Sequence, residues 1–171
     1  VLLKEKESVT ELMQDIEVNK ARMFLGTFDS INEHFQRIFS ELNPKGRTAT
    51  LTIGSREEPF EAGMSMRVEV SQGKHLDIRS LSGGEKTMTA LSFLFAIQEH
   101  DPATFYVMDE VDAALDKANS DKLAKLIHQY GESAQYIIVS HNDALINQAD
   151  ILYGVSMNPD AGRSNVVSLK V

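Results

Sequence analysis

Phe105-Tyr106-Val107-Met108-Asp109-Glu110-Val111-Asp112-Ala113-Ala114-Leu115-Asp116 decides the fold. Phe105 to Met108 is a short continuous apolar run, as expected of a strand covered on both faces. Two carboxylates close it, and the carboxyl end of a covered strand is where α/β sheets bind ligands. Asp109 suits Mg²⁺, a hard cation that keeps several of its waters. Glu110, one residue on, suits positioning or deprotonating an attacking water. A solvated strand end often carries the same residue types, so the pair alone leaves both readings open. Asp116, after Ala114 and Leu115, reads by itself as the cap of the next helix.

Downstream, Lys117 to Tyr130 is helical and Gln135 to Val139 is a second covered strand, ending in Val139-Ser140-His141-Asn142. His141 falls at the same sheet edge as Glu110. There an imidazole contacts a phosphate or is an ordinary loop residue. Asp143 to Ala149 reads as a short helix. Ile151 to Met157 and Val166 to Val171 are strands around the turn Asn-Pro-Asp-Ala-Gly-Arg-Ser-Asn. Val167, Leu169 and Val171 alternate with Ser168 and Lys170, as in a half-buried strand or one that carries a partner.

Upstream, Leu81-Ser82-Gly83-Gly84-Glu85-Lys86 opens a helix whose stretch Met88 to Ile97 is apolar nearly all round, so burial is expected. Two glycines let a backbone approach a ligand closely. A helix start offers unpaired N–H groups and the positive end of the macrodipole to a phosphate. Ser82 with Glu85 three residues on is also a capping box, and the two readings are compatible.

Residues 47–80 alternate apolar and polar side chains over Thr48–Ile53 and Met64–Val70, with a loop from Gly54 to Gly63 and a turn at Gly73. That is a small antiparallel meander without catalytic signal. Residues 1–42 read as one long helix. Phe24, Phe28, Ile31, Phe35, Ile38 and Leu42 are spaced 4, 3, 4, 3, 4, the seam of a coiled coil or a long packed helix. Asn-Pro-Lys-Gly, Asn43 to Gly46, is the expected stop. From Val1 to about Lys20 the apolar positions are too few for a core helix, which suits the end of a coiled coil.

The chain has 171 residues, 42% hydrophobic and 25% charged, enough apolar mass for a core. No stretch nears the roughly 18–20 uninterrupted apolar residues of a helical membrane span. With no cysteine, disulfides, thiolate nucleophiles and Cys-ligated zinc are excluded, and a reducing compartment is compatible. Val1 and the Lys-Glu-Lys-Glu run do not resemble a signal peptide. The chain is expected to be a piece of something longer. A net charge of −8, from 25 acidic and 17 basic residues, does not suit a free-standing DNA binder, which usually carries a basic face.

The order of these motifs resembles one family. Leu-Ser-Gly-Gly-Glu-Lys, the twelve residues from Phe105 and Val-Ser-His-Asn look like the signature, Walker B, D-loop and H-loop of the ABC-type ATPases. Asp-Glu-Val-Asp-Ala-Ala-Leu-Asp is similar to the SMC (structural maintenance of chromosomes) branch, as are the long helix and meander. The resemblance implies an α/β half-head. It has a covered, mainly parallel sheet, residues 1–42 as coiled-coil stub and long helix, and residues 43–171 as carboxyl-terminal lobe with the meander at 43–80. It implies that Ser82, Gly83 and Gly84 contact the γ-phosphate of an ATP held by the opposite head. Asp109 would serve Mg²⁺, Glu110 would be the catalytic base, Asp116 would lie at the head–head interface and His141 would sense the γ-phosphate.

The P-loop pattern Gly-x-x-x-x-Gly-Lys-Ser/Thr is absent from the sequence; Gly84-Glu85-Lys86-Thr87 is a near miss. The family carries it on an amino-terminal lobe. The chain is thus expected to be half of an ATPase site, inactive alone. The implied partners are that lobe, a second head in an ATP-dependent dimer, a kleisin subunit and, through the whole complex, DNA, with no membrane. The setting is cytoplasmic and chromosome-associated, and the work is chromosome condensation, segregation or cohesion. A purely structural kleisin-binding module and the head of a related double-strand-break repair ATPase are the alternatives. A transporter nucleotide-binding domain lacks support, because Pro-Thr does not follow Asp109-Glu110.

Overall fold

A computed structural model describes residues 2–43, 46–61, 63–71, 73–158 and 162–170. The chain divides into two compact units, Val1–Pro102 and Ala103–Val171.

In the first unit α1 runs unbroken over Leu2–Leu42. Its seam is the core: Phe28, Phe35, Ile38 and Leu42 are buried, and Phe39, off the predicted seam, joins them. Phe35 meets Phe93 edge-on with ring centroids 6.0 Å apart. Val9, Met13 and Ile16 stand exposed, so this stretch adds nothing to the core. Asn43 closes the helix by returning its N–H to the Phe39 carbonyl at 2.9 Å. Gly46, at φ +72°, takes the left-handed conformation that side chains disfavour. Pro44 and Lys45 of the expected stop lie outside the described residues.

The meander is antiparallel: β1 (Thr48–Ile53), β2 (Met64–Ser71) and β3 (Lys74–Asp77). Asn32 on α1 accepts the Leu51 N–H at 2.8 Å, joining β1 to the helix. In the loop between β1 and β2, Arg56 holds Asp29 of α1 through two hydrogen bonds of 2.9 and 2.6 Å. Phe60 lies 5.2 Å from the Phe24 ring, with the Lys20 ammonium 4.3 Å from its centroid. A single 3₁₀ turn, Ile78–Ser80, leads to α2, Gly83–His100, which packs along α1.

Burial of α2 differs from the expectation of an all-round apolar helix. Leu94 and Ile97 stay exposed while Thr89 and Ser92 are buried. The two hydroxyls are accommodated because each donates to the carbonyl four residues back, of Glu85 and Met88, at 2.7 Å.

In the second unit β4 (Phe105–Asp109) and β5 (Gln135–Val139) pair in parallel, Phe105 opposite Gln135 through Asp109 opposite Val139. Between them runs α3, Lys117–Gly131, burying Leu123, Ala124, Leu126 and Ile127. The short α4, Asp143–Ile146, follows β5 and packs on α3. β6 (Ile151–Asn158) and β7 (Arg163–Lys170) form an antiparallel hairpin, its predicted turn residues 159–161 outside the described residues. With one parallel pair and antiparallel pairings elsewhere, the fold is a mixed α/β one.

Coverage of β4 and β5 on both faces is corrected. Strand alternation puts Phe105, Val107, Ile137 and Val139 on one face, and they are 58, 64, 47 and 53% exposed. On the other face Met108 is buried and the Tyr106 and Tyr136 rings stack 5.1 Å apart. The apolar run is real, but one of its faces has nothing over it within this unit. β7 likewise departs from the half-buried pattern: Val166, Val167 and Leu169 are all exposed, and Val171 lies outside the described residues. Among the described residues no helix is long and apolar enough to cross a membrane.

Candidate functional site

Ser82, Gly83 and Gly84 belong to the first unit, and Asp109, Glu110, Asp116 and His141 to the second. Ser82 is the extended residue before α2, exposed to solvent. Its N–H and hydroxyl both donate to Oε2 of Glu85, at 3.1 and 2.8 Å, while Oε1 of Glu85 is held by Arg47. Arg47 above all, then the Ser82 hydroxyl and N–H, pull the Glu85 carboxyl down to about 2. Gly83 has open space where a Cβ would stand and is not among the residues with positive φ. Nothing within the fold therefore calls for glycine there. With N–H groups of a first helical turn beside an exposed hydroxyl, this end of α2 is fit to receive a phosphate.

In the second unit Asp109 ends β4 on the bare face, beyond Val107 and beside Val139. Its carboxylate is exposed, and among the described residues no three of His, Cys, Asp and Glu gather to hold a metal ion.

Glu110 breaks the strand. Its φ of +47° is the one non-glycine positive value among the described residues. Its N–H donates to the Val139 carbonyl at 2.9 Å, so the turn leaves β4 still fastened to β5. The side chain is exposed just past the strand end. A left-handed glutamate costs roughly 1–2 kcal/mol and persists where its surroundings over-determine it, commonly at functional sites. Asp116 caps α3, accepting the Asn119 N–H at 2.8 Å. His141 is exposed between β5 and α4. The parallel register thus brings Asp109, Glu110 and His141 to one edge of the β4–β5 pair.

Sequence reasoning missed the polar chain beneath this edge. Asp112, buried at 6% exposure, accepts the Ser140 hydroxyl at 2.8 Å. The Ser140 oxygen accepts the Asn142 N–H at 3.0 Å, and the Asn142 amide donates to the buried Ser120 hydroxyl at 3.0 Å. The one available signal was a lone carboxylate amid Val111, Ala113, Ala114 and Leu115.

Residues 3–164 match the family model described as the RecF/RecN/SMC N terminal domain. The chromosome partition protein Smc of Pyrococcus furiosus is 41% identical over 167 residues, 98% of this chain and 14% of that protein. The chain thus spans about one seventh of that relative's length. A solved P. furiosus Smc head domain with an extended coiled coil, bound to the C-terminal domain of ScpA, superimposes with a TM-score of 0.87 at 41% identity. This match covers 97% of this chain and 41% of that one. A structure from work on ATP-driven dimerization and DNA-stimulated activation of SMC ATPases matches with a TM-score of 0.79 at 39% identity, covering 88% and 89% of the two chains.

Proposed function

The chain belongs to the RecF/RecN/SMC family, as an SMC head-domain homologue of the ABC-ATPase superfamily, and from that we propose that it is the carboxyl-terminal half of a head that hydrolyses ATP between two engaged heads. The observation that carries the reading is Glu110, an exposed carboxylate held in a left-handed turn one residue past Asp109. The SMC relatives support it through ATP-driven dimerization, stated of the matching structure.

In this reading Ser82, Gly83 and Gly84 receive the γ-phosphate of a nucleotide held by the other head. The open space at Gly83 and the exposed Ser82 hydroxyl admit it. Asp109 would hold Mg²⁺, which when bound neutralises phosphate charge. Glu110 orients the attacking water and accepts its proton. His141 would donate to the γ-phosphate, and Asp116 would lie where the heads meet. Residues 1–42 are the base of a coiled-coil arm and 43–171 the lobe, with the meander at 43–80. An amino-terminal lobe carrying the P-loop completes the site, and without it the chain is inactive. The bare face of β4 and β5 suits such a covering lobe.

A second partner is a kleisin. The β6–β7 hairpin exposes Tyr153, Val155 and Met157 on one strand and Val166, Val167 and Leu169 on the other, and a matching head is bound to ScpA. The proposed setting is cytoplasmic and chromosome-associated. DNA is met through the whole complex, in the condensation, segregation or cohesion of chromosomes.

Glu110→Gln in the full-length protein tests the enzymatic reading. The amide keeps the shape but takes no proton, so turnover should fall by about 10²–10⁴-fold while ATP and Mg²⁺ still bind. An ATP-bound dimer should accumulate on a sizing column. Undiminished turnover would remove Glu110 from the chemistry and leave a kleisin-binding scaffold.

A further inference from the structure

We propose that Asp112 is a positioning residue for this site: its buried carboxylate fixes the segment carrying His141 against the turn carrying Glu110. The inference rests on the hydrolysis reading above.

Two ties join that turn to the end of β5. One is Glu110 N–H to the Val139 carbonyl, 2.9 Å; the other is the Ser140 hydroxyl to Asp112 Oδ2, 2.8 Å. A single hydrogen bond leaves the two segments free to pivot about it, and a second removes the pivot. Glu110 and His141 each lie beside these anchors in sequence, so both ride on them. The Asp112 end is itself fixed, since the Leu115 N–H donates to the Asp112 carbonyl at 2.9 Å and the Ala113 N–H to the Glu110 carbonyl at 3.1 Å. The Ser140 end is fixed through Asn142, which donates to the buried Ser120 and accepts the Ala144 N–H at 3.0 Å each.

An architectural role alone does not call for a carboxylate. Burying a polar side chain costs more than burying an apolar one of like volume unless it is hydrogen-bonded. What Asp112 adds is a directional acceptor for the Ser140 hydroxyl, at 2.8 Å. The left-handed backbone at Glu110 needs such restraint, because a strained conformation holds only while its surroundings enforce it.

The test uses the full-length protein in steady-state ATP turnover, with thermal unfolding measured alongside. Asp112→Leu and Ser140→Ala should each lower kcat by about 10–100-fold, the scale of a slightly misplaced catalytic group. KM for ATP should stay within about twofold, since the lost interaction acts in the chemical step. The double variant should fall no further than the worse single one, as two ends of one bond require. Asp112→Asn, whose amide oxygen still accepts from Ser140, should restore most of kcat. Overturning results are unchanged kcat in both single variants, additive losses, or a loss that tracks unfolding and that Asp112→Asn does not restore. Glu110→Gln is run in parallel. If it stops turnover while Asp112→Leu does not, the positioning role alone is wrong. If it leaves turnover intact, the hydrolysis reading is wrong and the positioning role falls with it.

Discussion

Ser82 donates twice to a single oxygen of Glu85, from its N–H at 3.1 Å and its hydroxyl at 2.8 Å. The hydroxyl that would meet a γ-phosphate is therefore already engaged within the chain. The carboxylate that engages it is held from its other oxygen by Arg47. A phosphate arriving at α2 must draw the hydroxyl off Glu85, and Arg47 keeps Glu85 charged and in place when it does.

Arg47 is the first cause of the lowered Glu85 carboxyl, about 2 in the folded chain. A carboxyl whose folded value lies below its unfolded one stabilises the fold fully above the unfolded value, about 4.3. That stabilisation is lost as pH falls through the folded value. The window is thus about pH 4.3 down to 2, and nothing changes near neutrality. Glu85 is partly exposed, so screening holds the contribution to about 1 kcal/mol or less. An NMR titration of the Glu85 carboxyl should give a midpoint near 2, rising toward the ordinary glutamate range in Arg47→Ala. A midpoint that stays put would show that Arg47 is not what holds it.

Glu110 makes a second expectation, about stability rather than charge. Its φ of +47° is comfortable for glycine and strained for glutamate. Glu110→Gly should relieve that strain and raise the unfolding free energy measured in urea by about 1 kcal/mol, while abolishing turnover in the assembled head. Glu110→Gln keeps the strain and should match the parent in urea. Equal stability in the glycine and glutamine variants would mean the turn imposes no cost at this position.

How much of this was readable from residues alone depended on whether a period carried the signal. The seam from Phe24 to Leu42 predicted α1, and strand alternation predicted β1, because burial on one face repeats along the chain. The continuous run Phe105 to Met108 predicted β4 but also implied two covered faces, and one is bare in this unit. An apolar side chain records that it is to be buried, not by what. The Asp112–Ser140 bond had no period at all. Its ends are 28 residues apart, and the parallel pairing of β4 and β5 is what brings them together. Thr89 and Ser92 were hidden for a different reason: their hydroxyls are satisfied by their own helix, so polar residues sit where an apolar stripe was expected.

Ser82→Arg should separate nucleotide binding from head engagement. Ser82 lies at the start of α2, exposed, with Gly83 next to it bordered by open space, so the chain itself has room for a larger side chain. In a two-head site that room is filled by the nucleotide of the opposite head. The mutant full-length protein should then take up ATP on its own P-loop with unchanged affinity. Engagement is another matter. An arginine attracts phosphate, yet it adds volume where a hydroxyl and helix N–H groups must come close, and overpacking a tight contact costs about 1–3 kcal/mol. Replacing Ser82 removes the hydroxyl donation to Oε2 of Glu85, while the backbone N–H donation at 3.1 Å remains. Steric exclusion therefore outweighs the attraction of the added guanidinium. Measured in a Glu110→Gln background, ATP-dependent dimers should disappear from the sizing column while ATP affinity of the monomer holds. Lost affinity in the monomer would place Ser82 beside its own head's nucleotide, and the shared two-head site would be the wrong geometry.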